Sequence, residues 1–125
     1  MSKQRILIVD DDIDSGESIQ DFLQEEGYDI TLVNSGESAL EVYDALKFDL
    51  VLLDLIMPGM GGVSALERLK QVNPAVKVVL STGHTFGDEV AKAKGLGLFE
   101  IVNKPIDPVR LIEVLQRNHP GSGEV

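Results

Sequence analysis

Cysteine is absent from this 125-residue chain, which excludes disulfides and thiolate metal sites. A cluster of Lys and Arg is absent too. With 11 basic residues against 21 acidic ones the formal net charge is −10. A direct nucleic-acid role, which relies on grouped cations facing phosphates, is therefore not expected. Most of the glutamates read as a solvated surface. Long apolar runs are also missing. "MSKQR" is followed by only four apolar residues, too few for the core of a signal peptide. The stretch from Leu50 to Met57 is broken by Asp54 and falls well short of a membrane span. A soluble, cytoplasmic protein is expected. The hydrophobic fraction of 43% and charged fraction of 26% are ordinary, and the length suits one domain with a proper core.

Apolar runs alternate with helical patterns from end to end. Arg5–Val9, Asp29–Val33, Asp49–Asp54, Val76–Ser81 and Leu98–Val102 read as strands. Between the first two, Ile19, Phe22 and Leu23 recur at helical spacing and the segment stops at Gly27. Ser35 can cap a helix carrying Ala39, Leu40, Tyr43 and Leu46 on one face. "PGMGG" (Pro58 to Gly62) is a loop before Val63, Leu66 and Leu69. A weaker helix spans Asp88 to Lys94, and Asp107 with Pro108 starts a last one that buries Leu111, Ile112 and Leu115. Five strands alternating with five helices imply an α/β domain with a parallel sheet covered on both faces. Residues 1–118 make that domain, and 119–125 read as a flexible tail or the start of a linker.

The segment "VDDDIDSGE", Val9 to Glu17, places four aspartates within five positions directly behind the first apolar run. In parallel α/β sheets, ligands bind beyond the carboxyl ends of the strands. Those ends carry Asp10 and Asp11, then Asp54, then Ser81 and Thr82, then Lys104. Three carboxylates facing one another need a cation. A hard divalent ion such as Mg2+ suits oxygen ligands and leaves room for a phosphate. A lysine and a hydroxyl suit phosphoryl oxygens, and one carboxylate is left as nucleophile for an aspartyl phosphate. Asp12 and Asp14 read as acids at a helix start.

"ILIVDDD", "VLLDLIMPGMGG", "VVLSTG" and "NKP" occur in that order at successive strand ends. Together they resemble the receiver domains of two-component response regulators over essentially the whole chain. The resemblance implies a doubly wound, flavodoxin-like sheet of strand order 2-1-3-4-5. It implies a phosphoacceptor signalling switch rather than an enzyme, able at most to catalyse its own phosphorylation and dephosphorylation. By resemblance Asp54 accepts the phosphoryl group from a histidine kinase or phosphotransfer protein. Asp10, Asp11, Asp54 and the Ile56 carbonyl hold Mg2+. Thr82 is the switch hydroxyl, Gly83 the small residue giving access, and Lys104 the phosphate-binding lysine. Pro105 follows it as in the family, where the peptide bond before it is often cis. The implied partners are the phosphodonor, an output domain or protein target, and a second copy through the last two strand–helix units. No membrane or nucleic-acid partner is implied.

Ile101 departs from the family, which usually carries an aromatic residue or histidine three positions before the lysine. Phe99, two positions earlier, should share its strand face. His84 reads as a loop residue, and Met57 and Met60 as packing. Three rivals stand against this reading, and the complete acidic set argues against the first, a receiver-like fold serving only as an interaction module. A haloacid-dehalogenase-type Mg2+-dependent phosphatase would use Asp10 as nucleophile with Asp12, Thr82 and Lys104, but leaves Asp54 and "MPGMGG" unexplained. A calcium loop fails because its sixth and twelfth positions are Ser15 and Asp21, where Gly and Glu are required.

Overall fold

A computed structural model describes residues 4–83 and 87–118. His84 and the tail 119–125 lie outside the described residues. The elements are β1 (Arg5–Val9), α1 (Ile13–Glu25), β2 (Asp29–Val33), α2 (Gly36–Val42), β3 (Leu50–Asp54), α3 (Gly62–Val72), β4 (Val78–Thr82), α4 (Asp88–Leu96), β5 (Glu100–Asn103) and α5 (Pro108–Arg117). They form one five-stranded sheet in the order β2-β1-β3-β4-β5, with every pairing parallel. The expected architecture and strand order are those observed.

The two sheet faces bury separate cores. Leu7, Val9, Val51, Leu53 and Leu80 pack with α2, α3 and α4. Ile6, Ile8, Leu52 and Val79 pack with α1 and α5. Every residue of β3 and β4 is buried, which is why these two strands read as unbroken apolar runs. Each fully buried Leu or Ile contributes about 1.5–3 kcal/mol relative to exposure.

Caps fall where the side chains can serve them. Asp12 accepts from Ser15 N–H at the start of α1, Ser35 from Ser38 N–H at α2, and Asp107 from Val109 N–H at α5. Gly27, just past α1, adopts φ 96°, which only glycine tolerates well.

Several local expectations are corrected. The last three strands begin later than their apolar runs suggest: β3 at Leu50, β4 at Val78 and β5 at Glu100. Val76 is instead tied into the turn after α3, its N–H donating to Asn73 O. Leu98 follows Gly97, whose φ of 99° bends the chain just before β5. At their other ends β4 reaches Thr82 and β5 reaches Asn103, because these two residues pair with each other. Leu46 does not extend α2. Tyr43 turns extended at φ −65°, ψ 132° and ends the helix; Leu46 is 83% exposed, and Phe48 stacks on Tyr43 in its place. Ile112 is only partly buried at the edge of its core, where Val114 is fully buried. Phe99 does not share a face with Ile101. It precedes β5, so strand alternation does not govern it. Its side chain packs toward α1 and α5 while Ile101 packs toward α2–α4. Lys77 and Arg117 lie 5.7 and 5.5 Å from its ring centre.

Candidate functional site

Parallel pairing brings the predicted residues to one edge of the sheet. Asp10 follows β1, and its N–H donates to Val33 O, prolonging the β1–β2 ladder by one rung. Asp54 closes β3 in register with Ser81 of β4, and Thr82 pairs with Asn103 of β5. Lys104 N–H donates to Thr82 O, and the Lys104–Pro105 peptide bond is cis.

Lys104 Nζ lies 3.0 Å from Asp54 Oδ2 and 3.3 Å from Asp10 Oδ2, so one ammonium serves two buried carboxylates. The second oxygen of each acid is also used: Asp10 Oδ1 accepts from Asp12 N–H at 2.9 Å, and Asp54 Oδ1 from Ile56 N–H at 3.3 Å. Asp11 is exposed, yet one carboxylate oxygen from each of Asp10, Asp11 and Asp54 lies within 4.8 Å of the others. That spacing fits a single hard cation with oxygen ligands.

The electrostatics match. Burial pushes the Asp54 carboxyl up to about 6; hydrogen bonding and charge from Lys104 oppose this, and the Asp10 charge adds to it. Burial works against the Lys104 ammonium, but Asp54 and then Asp10 outweigh it and hold its pKa above the ordinary value. Thr82 is buried, whereas Gly83 is exposed and a Cβ there would meet nothing within 4 Å. Ile56 is exposed, and Ile101 is half-buried.

The side chains of Asp12 and Asp14 serve the start of α1 instead. Asp12 caps α1 through Ser15 N–H and Ser15 Oγ, and Asp14 lies in the first turn. Asp12 is thus committed to the helix rather than to the pair a phosphatase of the rival type needs. Met57 is buried, and Met60 packs against the same core.

Two further residues shape the loop after Asp54. A Cβ on Gly62 would lie 2.6 Å from both Asp54 O and Leu55 Cα, so α3 can approach β3 only through glycine. Glu37, in the first turn of α2, accepts from Met60 N–H. The glycine pair in "PGMGG" hints at the first; nothing in the sequence marks the second.

Comparison with known proteins identifies the family and agrees with the fold. Residues 6–116 match the response regulator receiver domain family. The transcriptional regulatory protein ZraR of Escherichia coli is 37% identical over 112 residues, which are 90% of this chain and 25% of that protein. The DNA-binding response regulator MtrA of Mycolicibacterium paratuberculosis is 36% identical over 110 residues, 88% of this chain and 48% of that protein. The chain therefore spans a quarter to a half of the length of these relatives. The chemotaxis protein CheY4 of Vibrio cholerae superposes with a TM-score of 0.87 at 25% identity, covering 94% of this chain and all of that one. The haloacid-dehalogenase reading finds no support in these comparisons. With its sheet order, its acid–lysine edge and this match over nearly its full length, the chain belongs to the receiver domains of two-component response regulators, a family of signalling domains.

Proposed function

We propose that Asp54 is the phosphoacceptor of a two-component switch and that its transfer chemistry depends on Mg2+. The observation that carries this is the Lys104 ammonium set 3.0 Å from Asp54 and 3.3 Å from Asp10. The carboxylates of Asp10, Asp11 and Asp54, with the Ile56 carbonyl, would hold the ion. When bound, Mg2+ offsets the charge of these acids and of incoming phosphoryl oxygens. An Asp54 oxygen forms the new P–O bond as the donor's P–N bond breaks, and the donor imidazole leaves. Lys104 then neutralises phosphoryl charge, Thr82 supplies a hydroxyl hydrogen bond, and Gly83 leaves the approach open. By the same arrangement the domain assists its own phosphorylation and dephosphorylation.

A phosphoryl group carries up to about two negative charges, and charge-assisted hydrogen bonds contribute about 1.5–3 kcal/mol each. Contacts to Thr82, Lys104 and the cation together approach the roughly 5.5 kcal/mol that inverts a 1:99 equilibrium. A histidine kinase or phosphotransfer protein is the donor. The readout passes to an output domain, a protein target or a second copy, in the cytoplasm. No helix of the described residues is long and apolar enough to cross a membrane. With a net charge of −10, contact with nucleic acid falls to other domains or partners rather than to this one.

Intact-mass measurement after incubation with acetyl phosphate and Mg2+ tests the assignment. One phosphoryl group on the wild type and none on Asp54→Asn is expected. Incorporation that survives Asp54→Asn but is lost in Asp10→Asn would overturn it.

A further inference from the structure

The loop between β3 and α3, residues 55–61, starts beside the acid site and is closed at its base by Gly62 N–H donating to Leu55 O at 2.9 Å. Its far end rests on α2. Glu37 Oε2 accepts from Met60 N–H at 3.3 Å. The same oxygen lies 3.3 Å from where a Cβ on Gly59 would sit, and Gly59 has φ +73°. Gly36, one residue before Glu37, is packed by Met60: a Cβ there would lie 3.2 Å from Met60 Sδ. The loop and the first turn of α2 thus meet through a hydrogen bond and through a glycine on each side, Gly59 in the loop and Gly36 in the helix. Ser35 anchors that turn in place by capping it.

We propose that Glu37 is a positioning residue for the phosphoacceptor loop, its carboxylate holding Met60 against α2 so that Ile56 keeps its place beside Asp54. The inference rests on the proposed role of Asp54. Ile56 is linked to the acid site by its own N–H and to Met60 through the loop backbone, so a loosened tip widens the range of positions Ile56 visits. Pre-organised ligands bind more tightly than ligands that must first be ordered.

Glu37 also contributes negative charge at a helix N-terminus, and three variants separate the two roles. Glu37→Gln keeps an acceptor oxygen and loses the charge. Glu37→Asp keeps the charge and loses the reach. Glu37→Ala loses both. Two readouts are taken in the full chain: hydrogen exchange of the Met60 amide, and the Mg2+ midpoint followed by the Ile56 amide resonance. In Glu37→Ala and Glu37→Asp, Met60 exchange should rise and the Mg2+ midpoint should increase by about three- to tenfold, while Glu37→Gln stays within about twofold of wild type. Wild-type values in Glu37→Ala, or a loss in Glu37→Gln with none in Glu37→Asp, would overturn the proposal. If the wild type bound no Mg2+ and took up no phosphoryl group, the reading of Asp54 would fall with the functional part of this proposal, and Met60 exchange would still decide whether the tether exists.

Discussion

Replacing Asp54 with asparagine should stabilise the cation-free domain, and only above mildly acidic pH. The Asp54 carboxyl is raised by burial to about 6 from an ordinary 3.8. At about 1.4 kcal/mol per pH unit this corresponds to about 3 kcal/mol. Below about pH 4 the acid is neutral in both folded and unfolded chains and costs nothing. Between about pH 4 and 6 the unfolded chain gives up its proton first, so the folded state binds more protons and stability falls as pH rises. Above about pH 6 the loss is complete and constant. Asparagine keeps an oxygen for Ile56 N–H, and Lys104 keeps Asp10 at 3.3 Å. A gain of about 2–3 kcal/mol at pH 8 is therefore expected, fading toward zero near pH 4. Urea unfolding in EDTA across this range measures it, as a midpoint shift of about 1 M or more at pH 8. Saturating Mg2+ should narrow the gap by stabilising the wild type more than a variant that lacks the Asp54 carboxylate, since about 2.7 kcal/mol accrues at a hundredfold excess over Kd. A gap independent of pH, or a wild type more stable than Asp54→Asn at pH 8 in EDTA, would refute the reasoning.

Gly62→Ala forces a methyl to within 2.6 Å of Asp54 O and Leu55 Cα; a destabilisation of about 2–4 kcal/mol is expected in urea unfolding, since backbone cannot move aside cheaply. Gly61 is the N-cap of α3 at φ −73°, ψ 174° and provides no side-chain cap, while a Cβ there meets nothing within 4 Å. Gly61→Asp should therefore raise stability by a few tenths to about 1 kcal/mol, read as a higher melting temperature. Asn118 Nδ2 donates to Gln4 Oε1 at 2.9 Å and to Asp49 O at 3.2 Å. Asn118→Ala leaves the buried Gln4 amide short of a partner and should cost about 1–3 kcal/mol in the same assay.

The architecture was legible because its signals are collective. Strands β3 and β4 are buried along their whole length, and unbroken apolar runs are the mark of such strands. Asp10, Asp54 and Lys104 could be grouped in advance because a parallel sheet brings the carboxyl ends of its strands to one edge. What escaped depends on single backbone torsions or on distant partners. The end of α2 is set at Tyr43, where one extended residue removes Leu46 from the helix. Phe99 lies just before β5, where a period of two no longer applies, and it turns to the opposite core. Glu37 is one of many surface acids in the sequence, and its partner is 23 residues away.

Among the described residues no buried side-chain nitrogen or oxygen lacks a hydrogen-bond partner, so the cost of the site is one of charge rather than of missing bonds. One ammonium answers two buried carboxylates, with Asp11 close by. A proton or a cation relieves this arrangement; a phosphoryl group alone makes it worse. On the proposed reading, phosphorylation turns the Asp54 carboxylate into a neutral acyl group and places up to about two negative charges on the phosphoryl oxygens beyond it. Lys104 is then drawn from Asp10 and Asp54 toward the new charge. Its backbone is not independent, because Lys104 N–H is bonded to Thr82 O, and Thr82 and Asn103 are paired across β4 and β5. Ile101 sits on the same strand, paired with Leu80, and packs into the core beneath α4. On that reading a shift of Lys104 would reach the α4 side through the strand itself, a route that would not need an aromatic side chain at position 101.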